Sequence, residues 1–162
     1  MIKFRCHNCN QKIAVAESCT GGLIAKRITD NPGSSAYFAG GVVAYSNAAK
    51  SELLGVPAAV LEEHGAVSDP VVRAMAEGVR ERFGVDIGIA TTGISGPDGE
   101  TATKPVGLVH IAIAREGAVY AESFVFRMDR ARHRLLTSQI ALDWVRRTLM
   151  GAELVGPKWA QR

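Results

Sequence analysis

The stretch DIGIATTG (Asp86–Gly93) is apolar at successive positions, not at alternate ones. A strand with one wet face alternates in polarity, whereas a strand that is apolar throughout belongs in a sheet covered on both faces. KIAVAES (Lys12–Ser18) reads in the same way, as a short buried strand. The covering layers are legible too. TGGLIAKRIT (Thr20–Thr29) has helix character, with Thr20 or Ser18 positioned to cap it. SNAAKSELLG begins near Ser46 and stops at Gly55, and VPAAVLEEHG has Pro57 near its start and Gly65 at its stop. SDPVVRAMAEGVRERFG carries Val72, Met75, Ala76, Val79 and Phe83 at the spacing of one buried helical stripe. The last helix runs from about Arg130 to Met150.

Between these lie a second strand, AYFAGGVVAYS (Ala36–Ser46), with Gly40 and Gly41 marking a bulge or a close approach, and the hairpin LVHIAIAREGAVYAESFVF, turning at Arg115–Ala118. The order is β-α-β-α-α-α-β-β-β-α. Strands separated by helices imply parallel neighbours, and the hairpin adds antiparallel ones. The expected fold is a three-layer α/β/α sandwich whose mixed, mainly parallel sheet carries an antiparallel hairpin. One domain spans residues 1–162, with residues 1–11 an atypical N-terminal segment and residues 151–162 a loose tail.

Composition narrows the function classes. Nineteen basic and sixteen acidic side chains leave +3, too small an excess to argue for nucleic-acid binding. No apolar run approaches the roughly 18 residues of a membrane span. MIKFRCHNCNQK lacks the apolar centre of a signal peptide, so a cytoplasmic location is expected. The three cysteines, Cys6, Cys9 and Cys19, are odd in number and suggest no disulfide framework. Cys6 and Cys9, with His7 between them, form one C-x2-C. A structural zinc site needs a second pair of ligands, so the alternative is a ragged terminus.

In sheets of this class ligands bind beyond the carboxyl ends of the strands. Three such ends stand out: ESCTGG, AYSNAAK and TTGISGP. Ser18 is either a nucleophile projecting from a strand-to-helix turn or the helix cap. The N–H groups of Cys19 to Gly22 can hold an anion or a developing oxyanion. Cys19 is a competing nucleophile, but none of the three loops carries a histidine to serve as its base, and a small buried residue is the other reading. Lysine is then the base open to the serine. Lys50 must lose its proton by burial or neighbouring charge to act so, with Tyr45 orienting it or touching substrate; the alternative is a solvated surface lysine. TTGISGPDGETATKP offers the hydroxyls of Thr92, Ser95 and Thr101, matches no phosphate-loop fingerprint, and is either an anion loop or a long structural one. RMDRARHR gathers Arg127, Arg130, Arg132, His133 and Arg134. Arg130 and Arg134 share a helix face and form either a phosphate clamp or a solvated helix start.

The blocks AESCTGGLIA, PGSSAYFAGGVVAYSNAAKSELLGV, EEHGAVSDPVVRAMAEGVRERFG, TTGISGPDG and KPVGLVHIAIA together resemble the C-terminal domain of the competence/damage-inducible CinA family, which also occurs as the stand-alone nicotinamide-mononucleotide amidohydrolase PncC. The resemblance runs from about Val15 to Leu149. It implies hydrolysis of the carboxamide of nicotinamide mononucleotide to nicotinic acid mononucleotide and ammonia, within pyridine nucleotide salvage. Ser18 would be the nucleophile and Lys50 the base, with Tyr45 beside them. Cys19, Thr20, Gly21, Gly22, Thr92, Gly93 and Ser95 would line the substrate, and Arg130, Arg134 and Thr137 would hold its phosphate. No metal and no cofactor are implied. The expected partner is a pyridine mononucleotide, not nucleic acid or membrane, and a homo-oligomer is expected.

Three features depart from the family pattern. MIKFRCHNCNQK does not read as the amphipathic helix that usually precedes the first strand. Ser95, Glu100 and Ala102 stand where alanine, glycine and proline are commoner, and Glu100 adds a negative charge beside an anion site. The larger N-terminal domain of full-length CinA proteins is not in this sequence, so no activity of that domain is assigned. The alternative is a catalytically silent nucleotide-binding or interaction module. A DNA-binding competence factor has little support from the charge.

Overall fold

The computed structural model describes residues 10–156. Its strands are β1 (Ile13–Glu17), β2 (Phe38–Val43), β3 (Ile87–Gly93), β4 (Leu108–Arg115) and β5 (Ala118–Val125). Its helices are α1 (Leu23–Thr29), α2 (Asn47–Leu54), α3 (Ala58–His64), α4 (Asp69–Phe83) and α5 (Arg130–Leu149), with a single 3-10 turn at Ser34–Ala36. The strands form one sheet in the order β2-β1-β3-β4-β5. β1 pairs in parallel with both β2 and β3, β4 runs against β3, and β5 reverses once more. All strands but β4 therefore point the same way, and the expected mixed sheet with its hairpin is what the chain forms.

The doubly apolar strands do divide two cores. Ile13, Val15, Ile87, Ile89, Ile111 and Ile113 face α1 and α5, whose Ile24, Ile28, Ile140 and Trp144 complete that layer. Ala14, Ala16, Ala90, Ala112 and Ala114 face α4, with Val72, Met75, Ala76 and Val79 from its stripe. Phe83, the last residue of that stripe, is only partly buried. The difference in side-chain size matters: alanines on one face let α4 lie close to the sheet. Close packing extends to α2, where a Cβ on Gly78 would stand 1.9 Å from the Leu54 carbonyl oxygen. Gly78→Ala is therefore expected to lower the unfolding free energy by about 2 kcal/mol, the scale of overpacking a filled interior, as read in a denaturant titration.

Local signals set the helix ends. Ser46 caps α2 by accepting from Ala49 N at 3.1 Å, and Gly55 closes it in the left-handed conformation. The expected bulge in the second strand is present, where the β1–β2 register slips between Ile13↔Phe38 and Ala14↔Gly40. Two expectations change. α1 starts at Leu23 and not at Thr20, because residues 18–22 form a turn. The first part of the expected loose tail folds back: Val155 O accepts from Trp144 Nε1 at 3.3 Å, and Glu153 O accepts from Arg147 Nη1 at 3.0 Å. Cys6, His7 and Cys9 lie outside the described residues.

Candidate active site

Because β1, β2 and β3 are parallel, their carboxyl ends meet at one rim. Pairing continues just past the strands: Ser18 N donates to Thr91 O at 3.0 Å, and Ala44 N donates to Glu17 O at 2.9 Å. The residues after Ala44 lead into α2, which turns Lys50 back toward the rim. Its Nζ lies 3.3 Å from Ser18 Oγ and donates to Ala44 O at 3.0 Å. Lys50 is only 1% exposed, and Ser18 is 9% exposed. Lys50 forms no ion pair among the described residues. An ammonium without a counter-ion is disfavoured away from water, and burial accordingly pulls the Lys50 pKa below its ordinary value. A neutral amine keeps an N–H for Ala44 O and offers its lone pair to the Ser18 hydroxyl. The Ser18 side chain is not a helix cap: the cap position of α1 is Gly22, with no side-chain bond.

Cys19 is the weaker nucleophile. It is 5% exposed, and burial pushes its thiol up to about 12, so it stays protonated at neutral pH.

The turn that holds Ser18 is built by its neighbours. Gly21 and Gly22 take φ of 56° and 90°, a left-handed pair that side chains resist. Gly21 N donates to Ser18 O at 3.1 Å and Leu23 N to Thr20 O at 3.2 Å. The Thr20 and Thr91 hydroxyls meet at 2.8 Å, and Arg134 donates to Thr20 O from Nε at 3.2 Å and Nη2 at 2.7 Å. Glu17 occupies the start of α1: its fully buried carboxylate accepts from Ile24 N at 3.0 Å and Ala25 N at 2.8 Å. The helix N-terminus is thus filled by the protein's own anion. The N–H groups of Thr20 and Gly22 have no acceptor among the described residues, and that of Cys19 meets its own sulfur. Sequence reasoning missed Glu17, although a carboxylate inside the buried run IAVAE, just ahead of a helix, was the available signal. Glu17→Ala is expected to cost about 3 kcal/mol of stability, read by denaturant titration, since it removes two bonds to a carboxylate and orphans the buried Ile24 amide; Glu17→Gln should cost less.

The arginines reach the rim from α5. Arg130 donates from Nη1 to Gly96 O and from Nη2 to the Tyr45 hydroxyl, each at 3.0 Å, so it crosses from α5 to the second loop. Tyr45 is 61% exposed at the mouth. Neither Arg130 nor Arg134 is paired with a carboxylate among the described residues, so both charges remain available to an anion. Thr137 is not on that edge: it is fully buried, with its hydroxyl donating to His133 O at 2.8 Å. Thr92 is buried and donates to Ala66 O at 2.8 Å, and Gly93 ends β3 opposite Val109. Ser95 is buried against His133, its Oγ 2.9 Å from Nδ1. Thr101 Oγ1 accepts from Lys104 N at 3.1 Å, which closes a local turn. Glu100 and Ala102 are exposed on the same outer stretch.

Residues 1–149 match the model of the CinA C-terminal domain. The chain belongs to this family. A CinA-like protein of Geotalea uraniireducens is 56% identical over 138 residues, 85% of this chain and 33% of the relative. A CinA-like protein of Gemmatimonas aurantiaca is 52% identical over 153 residues, 93% of this chain and 35% of the relative. The chain thus spans about a third of the curated relatives it matches. Among solved structures, the competence/damage inducible protein CihA from Agrobacterium tumefaciens superposes with a TM-score of 0.87 at 39% identity, covering 92% of this chain and 90% of that one. A CinA-superfamily protein from Klebsiella pneumoniae gives 0.89 at 29% identity, covering 93% and 94%. The CinA fold is therefore shared. No helix among the described residues is long and apolar enough to cross a membrane.

Proposed function

We propose that this CinA domain hydrolyses the carboxamide of nicotinamide mononucleotide, giving nicotinic acid mononucleotide and ammonia. The observation that carries the reading is the buried approach of Lys50 Nζ to Ser18 Oγ at 3.3 Å, with no ion pair to hold the lysine charged. Lys50 takes the Ser18 proton as Oγ bonds to the amide carbon. The carbonyl oxygen becomes an oxyanion, held by N–H groups of the Cys19–Gly22 turn. The tetrahedral centre collapses, Lys50 returns the proton to the leaving nitrogen, and ammonia departs from an acyl-Ser18 ester. Water then attacks the ester with Lys50 again as base, releasing the acid and restoring the Ser18 hydroxyl.

The two unpaired guanidinium groups of Arg130 and Arg134 supply the far end of the site. They bind the substrate phosphate and so position the amide, using binding energy remote from the reacting atoms. Tyr45 joins the phosphate end through its bond from Arg130.

Ammonia release from nicotinamide mononucleotide and from the phosphate-free nicotinamide riboside tests this reading. The mononucleotide should be preferred in kcat/KM by about a hundredfold, the worth of one or two charge-assisted contacts. Equal rates would remove the phosphate role. Calorimetric binding of the mononucleotide without ammonia release would favour a silent nucleotide-binding module.

A further inference from the structure

His133 takes no part in the steps above, although it is fully buried between Arg130 and Arg134 in the chain. Its ring reaches both ends of the segment joining β3 to β4. At the near end Nδ1 lies 2.9 Å from Ser95 Oγ, and at the far end Nε2 lies 3.1 Å from Gly107 O. A carbonyl can only accept, so Nε2 carries the hydrogen and Nδ1 accepts from the Ser95 hydroxyl. That arrangement needs a neutral ring. Burial lowers the His133 pKa, against the bond to Gly107, and the nearby Arg130 charge lowers it further.

Backbone bonds already close the neck of this segment on itself: Gly107 N donates to Ile94 O at 2.7 Å and Ile94 N to Leu108 O at 2.8 Å. Those bonds do not fix the neck relative to α5. The His133 ring does, and Arg130, one turn earlier on α5, donates to Gly96 O of the same segment. The Phe126 ring, 5.8 Å away, packs beside the imidazole.

We propose that His133 is a positioning residue that staples the β3–β4 segment to α5 and thereby holds Gly96 O where it anchors Arg130 for the anionic end of the substrate. Its kinetic consequence rests on the function proposed above; its structural consequence does not. A ring with both nitrogens engaged in a dry interior has one orientation, so its loss releases the segment and with it the Gly96 anchor of Arg130. The effect should fall on substrate capture, because no bond of Ser18 or Lys50 runs to His133 or to residues 94–107.

The test uses His133→Leu, His133→Gln and Ser95→Ala with two readouts. In His133→Leu the KM for nicotinamide mononucleotide should rise about tenfold, the worth of one lost buried hydrogen bond, with kcat changed less than about threefold. Glutamine can still donate to Gly107 O, so His133→Gln should recover most of the loss. Backbone hydrogen exchange over residues 94–107 should speed up in His133→Leu and, near its start, in Ser95→Ala. A KM unchanged in folded His133→Leu, or kcat falling as far as KM rises, would overturn the positioning role. Unchanged exchange near the start of the segment in Ser95→Ala would overturn the staple whether or not the wild type releases ammonia. Ser95→Ala removes a single hydroxyl and keeps the test decisive should His133→Leu fail to fold. If the wild type releases no ammonia while exchange responds as expected, the proposed function fails and the staple stands.

Discussion

Ser18→Ala should abolish ammonia release from nicotinamide mononucleotide, lowering kcat by about a thousandfold or more, as removal of a covalent nucleophile does in other hydrolases. The fold should hardly notice. The backbone bonds of Ser18, its N to Thr91 O and its O from Gly21 N, do not involve the hydroxyl. Lys50 keeps its bond to Ala44 O. Binding of the mononucleotide should persist, because the arginine wall and the turn amides are untouched. Initial rates, calorimetry and thermal unfolding on the same preparation separate these effects. A variant that turns over within about tenfold of wild type would mean that water attacks the amide directly, since no covalent role leaves that much activity.

Lys50→Met should separate catalysis from stability in opposite directions. The methionine nearly matches the aliphatic stem but offers no base, so kcat should fall by about a hundred- to ten-thousandfold. Stability should rise at neutral pH, because a buried amine with no counter-ion is replaced by a thioether. The pH dependence follows from the direction of the Lys50 shift. The folded pKa lies below the ordinary 10.5, so between the two values the unfolded chain holds a proton that the folded chain does not. Stability of the wild type therefore climbs with pH across that window. Below the folded pKa the full burial penalty is present, and above 10.5 it has gone. The advantage of Lys50→Met over wild type should shrink as pH rises toward that value. Denaturant titrations of both proteins from pH 7 upward measure the gap, and a gap that does not change with pH would mean that the Lys50 pKa is not lowered.

The layers were legible because they rest on local rules. Buried strands with two apolar faces demand two covers, and Gly55, Gly65 and Gly84 stop their helices where the chain says they should. The partition of Ala14 and Ala16 from Ile13 and Val15 follows from strand alternation alone. The site was legible only in part. Spacing leaves Ser18 as cap or nucleophile, and the deciding contact comes from Lys50, 32 residues away and on another element. Thr20 reads as a cap on sequence, yet the left-handed pair Gly21–Gly22 delays the helix and frees the turn. Arg130 and Arg134 share a helix face as expected, but what they bridge, Gly96, Tyr45 and Thr20, depends on how the loops fold over α5. His133 read as one more basic residue at a helix start. Its phase with Thr137, Ala141 and Trp144 was the signal that it points inward with the buried stripe.

The titration of Lys50 itself tests the central claim most directly. Nuclear magnetic resonance of the Lys50 side chain, labelled at Nζ and Cε and assigned by comparison with Lys50→Met, reads its protonation state between pH 6 and 11. Lys50 should lose its proton well below the ordinary lysine value, and the same pKa should govern the rise of kcat/KM. A Lys50 that titrates with the surface lysines near 10.4 would be an ammonium at working pH, and Ser18 would have no base.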